Sequence, residues 1–194
     1  MEKNKTSLKS FSNTGYHPGS KVKILCWLIV SSLFFRHSLA VFGFIKAPLL
    51  RLFGARVGTG LVMKPSVNIK YPWLLKIGND VWIGENVWID NLASVELADN
   101  VCISQGAMLL TGNHNYKKPT FDLLVGKIVL QEGCWIGAMS VVCPGVTCQS
   151  HAILTVGSVA TGNLLPYTIY QGNPAVAVRQ RVFDFEPEMA SVSK

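Results

Sequence analysis

His114 is the residue of this sequence best suited to proton transfer. It lies in Thr111-Gly-Asn-His-Asn-Tyr116, a polar stretch that interrupts an otherwise regular repeat. Near neutral pH an imidazole can take a proton from a hydroxyl group and pass it on. The sequence therefore makes His114 a candidate general base, and an ordinary loop histidine is the alternative.

Metal chemistry has little support. The chain has four histidines, and two of them, His17 and His37, lie outside the repeats. Its five cysteines show no Cys-x-x-Cys spacing. A catalytic zinc site usually takes three protein ligands, with histidine prominent. We expect no metal, and we interpret the cysteines as small buried residues of a protein in a reducing compartment.

The repeat that must position these groups is clearest from Leu130 to Thr161. Read in sixes from Leu130, every first position is apolar, and every fifth position is small or valine. Neither the helical period of 3.6 nor the strand period of 2 explains this pattern. A six-residue period indicates a parallel β-helix, in which three short strands make one coil of 18 residues.

The same pattern extends back to Val57, with slips of two residues at Tyr71–Lys76 and at Val95–Glu96. Roughly ninety residues of repeat correspond to about five coils. The larger interruption, at residues 111–128, predicts a loop extruded from one face of the β-helix, where working residues are commonly found. We place the β-helix at residues 57–165 and a C-terminal turn and tail at 166–194.

Residues 1–56 form a separate N-terminal region. They carry nine Lys or Arg against one acidic residue, whereas residues 57–194 carry nine basic and ten acidic residues. Residues 1–20 predict a flexible arm or a strap laid on the domain, and Pro48–Gly54 predicts a short helix. The apolar runs Ile24–Phe35 and Ser38–Ile45 are too short to cross a bilayer. They predict helices packed on the β-helix, or a peripheral membrane contact through residues 21–46.

Several motifs together resemble one protein family. The chain resembles the hexapeptide-repeat acyltransferases in several features. These are the in-phase repeats of six, the His114 loop, Cys134-Trp-Ile-Gly-Ala138, Pro144-Gly-Val and Gly172-Asn-Pro-Ala175. Within that family the chain most resembles the colanic acid biosynthesis acetyltransferases, over about residues 20–182. The motifs that carry this closer resemblance are Leu52-Phe-Gly-Ala-Arg56, Lys70-Tyr-Pro-Trp73, Trp88-Ile-Asp-Asn-Leu92 and Cys102-Ile-Ser-Gln-Gly106.

The resemblance implies a mainly β protein: a left-handed parallel β-helix with an N-terminal helical segment and an extruded loop, assembled as a homotrimer. It implies acetyl-CoA as co-substrate and His114 as the general base that activates a saccharide hydroxyl. Positions matching the acceptor site are Asn86 and Asp90, with Glu85 and Asn91 beside them. Positions matching coenzyme contacts are Gly137, Ala138, Val156, Thr161, Gly162 and Arg179.

The residues leave some alternatives open. The four acceptor positions could instead solvate corners of the β-helix. The family often has a lysine where this chain has Gly162, so coenzyme phosphates could be bound by Arg179, Arg181 or Lys117 and Lys118. We expect an O-acetyltransferase of surface polysaccharide biosynthesis, acting in the cytoplasm or at the inner face of the membrane. A non-catalytic scaffold subunit, a metal hydratase and an acetyltransferase of a small non-sugar acceptor are the other possibilities.

Overall fold

The chain winds into a parallel β-helix built from very short strands. The computed structural model describes residues 5–13, 15–37 and 43–184, so the predicted tail beyond Asp184 lies outside the described residues. Strands of successive coils pair in parallel along three walls, which we call sheets A, B and C. The predicted fold class and the estimate of about five coils are confirmed.

Each wall is a ladder of strands from successive coils. Sheet A contains β1 (Arg56–Val57), β4 (Leu75–Ile77), β7 (Val95–Leu97), β12 (Ile128–Leu130) and β15 (Thr147–Cys148). Sheet B contains β2 (Val62–Met63), β5 (Trp82–Ile83), β8 (Cys102–Ile103), β13 (Trp135–Ile136), β16 (Ile153–Leu154), β18 (Thr168–Gly172) and β19 (Ala175–Gln180). Sheet C contains β3 (Asn68–Ile69), β6 (Trp88–Asp90), β9 (Met108–Leu110), β14 (Val141–Val142) and β17 (Val159–Ala160).

The register of the ladders gives the length of each coil. Arg56 pairs with Lys76, so the first coil has 20 residues, whereas Val129 pairs with Thr147, so a late coil has 18. In the first coil the two extra residues fall in the turn from sheet C to sheet A, where Pro72–Leu74 forms a 3-10 helix. The second slip predicted at Val95–Glu96 is misplaced, because both residues pair within β7 and the extra residues precede them.

The core is a stack of like side chains from successive coils. First-position residues such as Ile69, Ile83 and Ile136 are almost fully buried and lie above one another in their ladders. Dispersion contacts and the removal of these side chains from water hold the coils together. The small fifth-position residues of the last coils, which are Cys134, Ser140, Val146, Ala152 and Ser158, are all buried.

Two edges of this triangular prism matter for function. The BC corner is the set of turns that join sheet B to sheet C, at residues 64–67, 84–87, 104–107, 137–140 and 155–158. The CA corner is the set of turns that join sheet C to sheet A, at residues 70–74, 91–94, 111–127, 143–146 and 161–163. Sheet C separates the two corners.

The N-terminal helices close the first coil. Helices α1 (Lys21–Phe34) and α2 (Gly43–Leu52) bury Trp27 and Leu50, and the Trp27 indole Nε1–H donates to the Ile69 carbonyl oxygen at 2.8 Å. The Lys46 ammonium donates to the Lys64 carbonyl oxygen at 2.7 Å at the open end of the coil. Burial lowers the Lys46 pKa.

The helix boundaries differ in part from those predicted. The helix predicted from Pro48 begins earlier, at Gly43, and contains the proline, because the preceding turn already packs on the coil through Lys46. Residues 38–42 of the second apolar run lie outside the described residues. Among the helices that are described, none has both the length and the apolar character needed to span a bilayer.

The C-terminal segment continues the β-helix further than predicted. Strand β18 pairs in parallel with β16, so the coil extends beyond Pro166. Strand β19 then returns antiparallel to β18, and the predicted Gly172-Asn-Pro-Ala175 turn joins the two strands. This hairpin brings Arg179 onto sheet B, opposite Ile169.

Candidate active site

The predicted loop is an ordered β-hairpin that holds His114 at the CA corner. Strands β10 (Gly112–His114) and β11 (Leu123–Val125) pair antiparallel, with His114 opposite Leu123. The Nδ1 atom of His114 lies 2.9 Å from the Phe121 carbonyl oxygen. A carbonyl oxygen only accepts hydrogen bonds, so Nδ1 carries the ring proton and the Nε2 lone pair remains as the basic site.

Aromatic rings fix the plane of the imidazole. The Phe121 ring stacks on His114 with centroids 4.4 Å apart and planes 7° apart, and the Phe11 ring meets it edge-on at 5.8 Å. The His114 backbone N–H also donates to the Asn113 side-chain oxygen at 2.8 Å. The histidine is therefore held in one orientation rather than in a freely moving loop.

Two of the predicted acceptor residues lie at the same corner as His114. Asp90 ends β6 directly below the hairpin and forms an ion pair with Lys70 at 2.8 Å. Asn91 is fully buried, accepts from the Tyr71 N–H at 2.9 Å and donates to the Tyr71 carbonyl oxygen at 2.6 Å. Asn91 therefore holds the enlarged corner together, and a direct contact between its side chain and an acceptor does not fit this burial.

The other two predicted acceptor residues, Glu85 and Asn86, lie at the BC corner. Both are exposed, and Asn86 has a φ of 58°. Ser66 and Met139 occupy equivalent places in other coils with φ values of 59° and 57°. Asparagine tolerates this left-handed conformation better than most residues, so the corner alone accounts for Asn86.

A groove of about 610 Å³ runs along sheet B beside the BC corner. Its lining includes four of the six residues predicted to contact the coenzyme: Gly137, Ala138, Val156 and Arg179. The other two, Thr161 and Gly162, are exposed in the turn after β17, at the CA corner. The predicted coenzyme residues are therefore divided between the two corners, as the predicted acceptor residues are.

Three backbone amides that line the groove, those of Gln105, Ala138 and Val156, donate to none of the described residues. The amides of Gly137 and Met139 donate to other backbone carbonyls, whereas the Ala138 N–H makes no hydrogen bond with the part of the chain that is described. A Cβ atom on Gly137 would lie 2.6 Å from the Val156 backbone nitrogen, so only glycine lets the two turns approach this closely. The turn at Gly137 and Ala138 can therefore offer a ligand the Ala138 N–H, whereas the Gly137 N–H is bonded to a backbone carbonyl oxygen.

The basic residues considered for phosphate binding differ in availability. Arg179 is exposed at the groove, and its guanidinium forms no ion pair or hydrogen bond with the described residues. The Arg181 guanidinium donates to the Gly133 and His151 carbonyl oxygens, at 3.0 and 3.2 Å, and lies over the Phe183 ring. Lys118 pairs with Asp122 at 3.0 Å. Arg179 is thus the best placed of these three to meet an anionic group.

The cysteines are poorly suited to nucleophilic catalysis. Burial raises the pKa of Cys134 to about 11 and also raises the pKa of Cys148, so the thiolate is disfavoured at neutral pH. The prediction that the cysteines are buried is confirmed for Cys134 and Cys148, holds only in part for the half-buried Cys102 and Cys143, and is wrong for Cys26, which is exposed on α1. Within residues 5–13, 15–37 and 43–184, no three His, Cys, Asp or Glu side chains come together in a group that could hold a metal ion.

Sequence reasoning missed the aromatic residues around His114. Phe11 lies in the polar arm, and the Tyr16 hydroxyl donates to the Leu92 carbonyl oxygen at 2.8 Å. Burial, together with Tyr71 and Asp90, raises the Tyr16 pKa, so this hydroxyl stays protonated. The arm has no periodicity from which these contacts could be predicted, and the isolated aromatic residues in a polar segment are the only signal.

Comparisons with known proteins identify relatives of the whole chain. The chain is 35% identical over 168 residues, 87% of its length, to a protein of Escherichia coli (strain K12) assigned as the colanic acid biosynthesis acetyltransferase WcaF, and the match spans 92% of that protein. It is 27% identical over 138 residues to the galactoside O-acetyltransferase of the same organism, covering 70% of this chain and 68% of the relative. A comparison with models of protein families found no match.

A solved structure shares the fold. The hexapeptide-repeat acetyltransferase VCA0836 of Vibrio cholerae O1 biovar eltor, solved with acetyl-CoA, superposes with a TM-score of 0.77 at 19% identity. The superposition covers 91% of this chain and 96% of the solved chain. At this identity the likeness concerns the fold.

Proposed function

The chain belongs to the hexapeptide-repeat acetyltransferases, and on this premise we propose that it transfers an acetyl group from acetyl-CoA to a hydroxyl of a saccharide. The observation that carries the proposal is the geometry of His114, whose Nδ1 atom is fixed by the Phe121 carbonyl so that Nε2 is the basic atom. The names of the two relatives, in colanic acid biosynthesis and in galactoside acetylation, favour a saccharide acceptor in surface polysaccharide biosynthesis.

The proposed reaction is a direct transfer. Nε2 of His114 removes the proton of the acceptor hydroxyl as its oxygen attacks the carbonyl carbon of the thioester. The carbon–sulfur bond then breaks, the acetyl group stays on the acceptor oxygen, and the imidazolium returns the proton to the departing CoA thiolate. The unpaired N–H groups of Ala138, Gln105 and Val156 are the backbone donors that the groove offers to the oxyanion or to the coenzyme arm. Arg179 suits a coenzyme phosphate.

We further propose that each site is shared between two copies of the chain in a trimer. His114 and Asp90 lie at the CA corner, whereas the groove with Ala138 and Arg179 lies at the BC corner, on the other side of sheet C. One wall takes about six residues at roughly 3.3 Å each, so the two corners of one chain are on the order of 15–20 Å apart. The CA corner of one copy placed against the groove of the next would bring the two halves together.

The outer faces of the β-helix support this assembly. Sheet A carries Arg56, Lys76 and Glu96 on its outer face. The outer ladder of sheet B is instead apolar and includes the exposed Trp82 and Trp135, and that of sheet C is mainly apolar as well. Such ladders favour burial against another copy, and a contact between unlike corners can close into a ring. The residues on the outer face of sheet C are Asn68, Trp88, Met108, Val141 and Val159.

The experiment that tests the function is thiol release from acetyl-CoA by the purified protein, with and without a panel of sugars and cell-envelope oligosaccharides. We expect release that depends on a saccharide. If thiol release depends only on a small non-sugar acceptor, that acceptor class replaces the saccharide in the proposed reaction. If the protein neither releases thiol nor binds CoA, the result supports a scaffold role.

We also propose that α1 rests on an anionic membrane surface at the inner face of the membrane, with the enzyme in the cytoplasm. The face of α1 opposite Trp27 carries Val22, Leu25, Ile29 and Leu33, which are 55–72% exposed. Residues 1–56 have a net charge of +8, which suits anionic lipid headgroups at about 1 kcal/mol per basic side chain near the surface. A lipid-linked saccharide would be presented at such a surface.

Substitution of Leu25 or Ile29 by aspartate tests the membrane contact. We expect Leu25→Asp and Ile29→Asp each to lower cosedimentation with phosphatidylserine vesicles about tenfold or more, because each places a charge in the apolar face that enters the interface. Val182→Asp, at an even more exposed apolar position beyond β19, is the control and should bind like the wild type. Equal sedimentation of all three variants with the wild type would remove the proposal.

A further inference from the structure

The described part of the N-terminal arm, residues 5–13 and 15–20, lies along the CA corner as a strap. Its lower end meets Trp73, whose indole Nε1–H donates to the Pro18 carbonyl oxygen. One coil higher, the Tyr16 hydroxyl donates to the Leu92 carbonyl oxygen. At the upper end, the Ser7 N–H donates to the Pro119 carbonyl oxygen of the hairpin at 2.8 Å. The arm is thus tied to three successive turns of the one corner that carries His114.

The upper part of the strap reaches the imidazole itself. The Phe11 ring meets His114 edge-on at 5.8 Å, while Phe121 stacks on it at 4.4 Å. The Phe121 carbonyl fixes one ring nitrogen, and the two aromatic rings restrict the tilt of the imidazole from two directions. Phe11 therefore contributes to the orientation of the basic Nε2 atom although it lies about one hundred residues away in the sequence.

A cleft of about 320 Å³ lies between the strap and the hairpin. One wall is Ser12, Asn13, Gly15 and Tyr16, and the other is Asp122, Leu123 and Val125. The cleft combines an amide and a carboxylate with the aliphatic surface of Leu123 and Val125, the mixture that a sugar ring, with hydroxyl edges and an apolar face, can use. Its volume is at the lower end for ligand pockets, which suits a single ring.

Three observations place this cleft beside the reacting centre. Leu123 is the cross-strand partner of His114. Asn13 follows Phe11 by two residues on the strap. The Tyr16 hydroxyl, from the lower wall of the cleft, donates to the Leu92 carbonyl oxygen at 2.8 Å, and the Leu92 N–H donates to the Asp90 carbonyl oxygen at 3.0 Å, so Asp90 belongs to the turn that the strap contacts.

We propose that the N-terminal strap completes the acceptor side of the active site, with Phe11 positioning the imidazole of His114 and the cleft between strap and hairpin binding a sugar ring of the acceptor. This inference rests on the proposed acetyl transfer and specifies where its acceptor binds. Phe11 is a positioning residue, since it acts through His114.

The first test is a double-mutant cycle between Phe11 and His114, with saccharide-dependent thiol release as the readout. We expect Phe11→Ala to lower kcat about tenfold without changing KM for acetyl-CoA, because a misdirected base loses its alignment with the hydroxyl. In the His114→Ala background the same change should have no further effect. Phe11→Tyr should retain most of the activity, and Leu8→Ala, on the same strap with an exposed side chain, is the matched control.

The second test concerns the cleft. We expect Asn13→Ala to raise KM for the acceptor about tenfold and to leave KM for acetyl-CoA unchanged, because an amide donor to a sugar hydroxyl is lost. The strap proposal is overturned if Phe11→Ala matches the wild type, if its effect persists without His114, or if Asn13→Ala leaves the acceptor KM unchanged. If the wild type transfers acetyl groups in the same assay, each of these results removes the strap proposal and leaves the proposed function standing. If the wild type transfers none, both the strap proposal and the proposed function are removed.

Discussion

Replacement of His114 by alanine is expected to lower kcat for saccharide-dependent acetyl transfer by about 10²- to 10⁴-fold, the usual contribution of a general base. An alkyl hydroxyl is a weak nucleophile until its proton is removed in the transition state. We propose Nε2 of His114 as that base, because the contact of Nδ1 with the Phe121 carbonyl oxygen leaves Nε2 with the free lone pair. The substitution removes that base and leaves the groove intact, so KM for acetyl-CoA should change little.

A second histidine provides the control. His151 occupies a left-handed corner position with a φ of 60° and packs on Tyr167 with ring centroids 4.7 Å apart. It lies between sheets A and B, at a different corner from the hairpin that carries His114. His151→Asn should retain activity, because asparagine tolerates this backbone conformation. A His114→Ala protein that folds normally and keeps more than about a tenth of the wild-type kcat would show that another group acts as the base.

Mixing two inactive variants is expected to restore activity. In His114→Ala the CA corner is defective, and in Val156→Trp a large side chain fills the groove at the BC corner while the core is untouched, since Val156 is an exposed turn residue. If each site takes its histidine from one copy and its groove from the next, random mixed trimers contain intact sites. With equal expression, roughly a quarter of the sites pair a working histidine with a working groove.

The measurement is acetyl transfer by co-expressed, co-purified variants that carry different affinity tags. Each variant alone should be inactive, and tag-selected mixed trimers should recover about a third of the wild-type activity, because one of the three sites in every mixed trimer pairs a working histidine with a working groove. Mixed trimers as inactive as either parent would mean that each chain builds its own site, and a monomer by sedimentation equilibrium would contradict the assembly.

Much of the fold could be predicted because the repeat constrains every position in the same way. Residues such as Ile69, Ile83 and Ile136 must point inward in phase, and any β-helix with this period buries them. The corner of each polar residue also follows from the count of sixes, so the separation of Asn86 from Asp90 was present in the sequence. Two features blurred that count: the extra residues before Leu75 and Val95, and the continuation of the coil through β18 after the pattern fades.

The immediate surroundings of His114 could not be predicted. The contact between Phe11 and His114 joins an arm without periodicity to an insertion, and neither segment has a repeat that fixes its position. The same holds for Arg179, which reaches the groove only because β19 turns back along β18. Helix α1 is apolar on most sides, so its sequence indicates that the whole helix is buried. In the structure the first coil covers the Trp27 face, and the opposite face stays exposed.

The most direct test of acetyl transfer by His114 is to detect the acetylated product itself. Purified wild-type and His114→Ala proteins are incubated with acetyl-CoA and a panel of cell-envelope saccharides, and the saccharides are examined by mass spectrometry before and after mild alkaline treatment. We predict that the wild type adds an acetyl group to a saccharide as an alkali-labile ester and that His114→Ala adds almost none. An alkali-stable amide product, or equal ester formation by both proteins, would contradict O-acetyl transfer with His114 as the base.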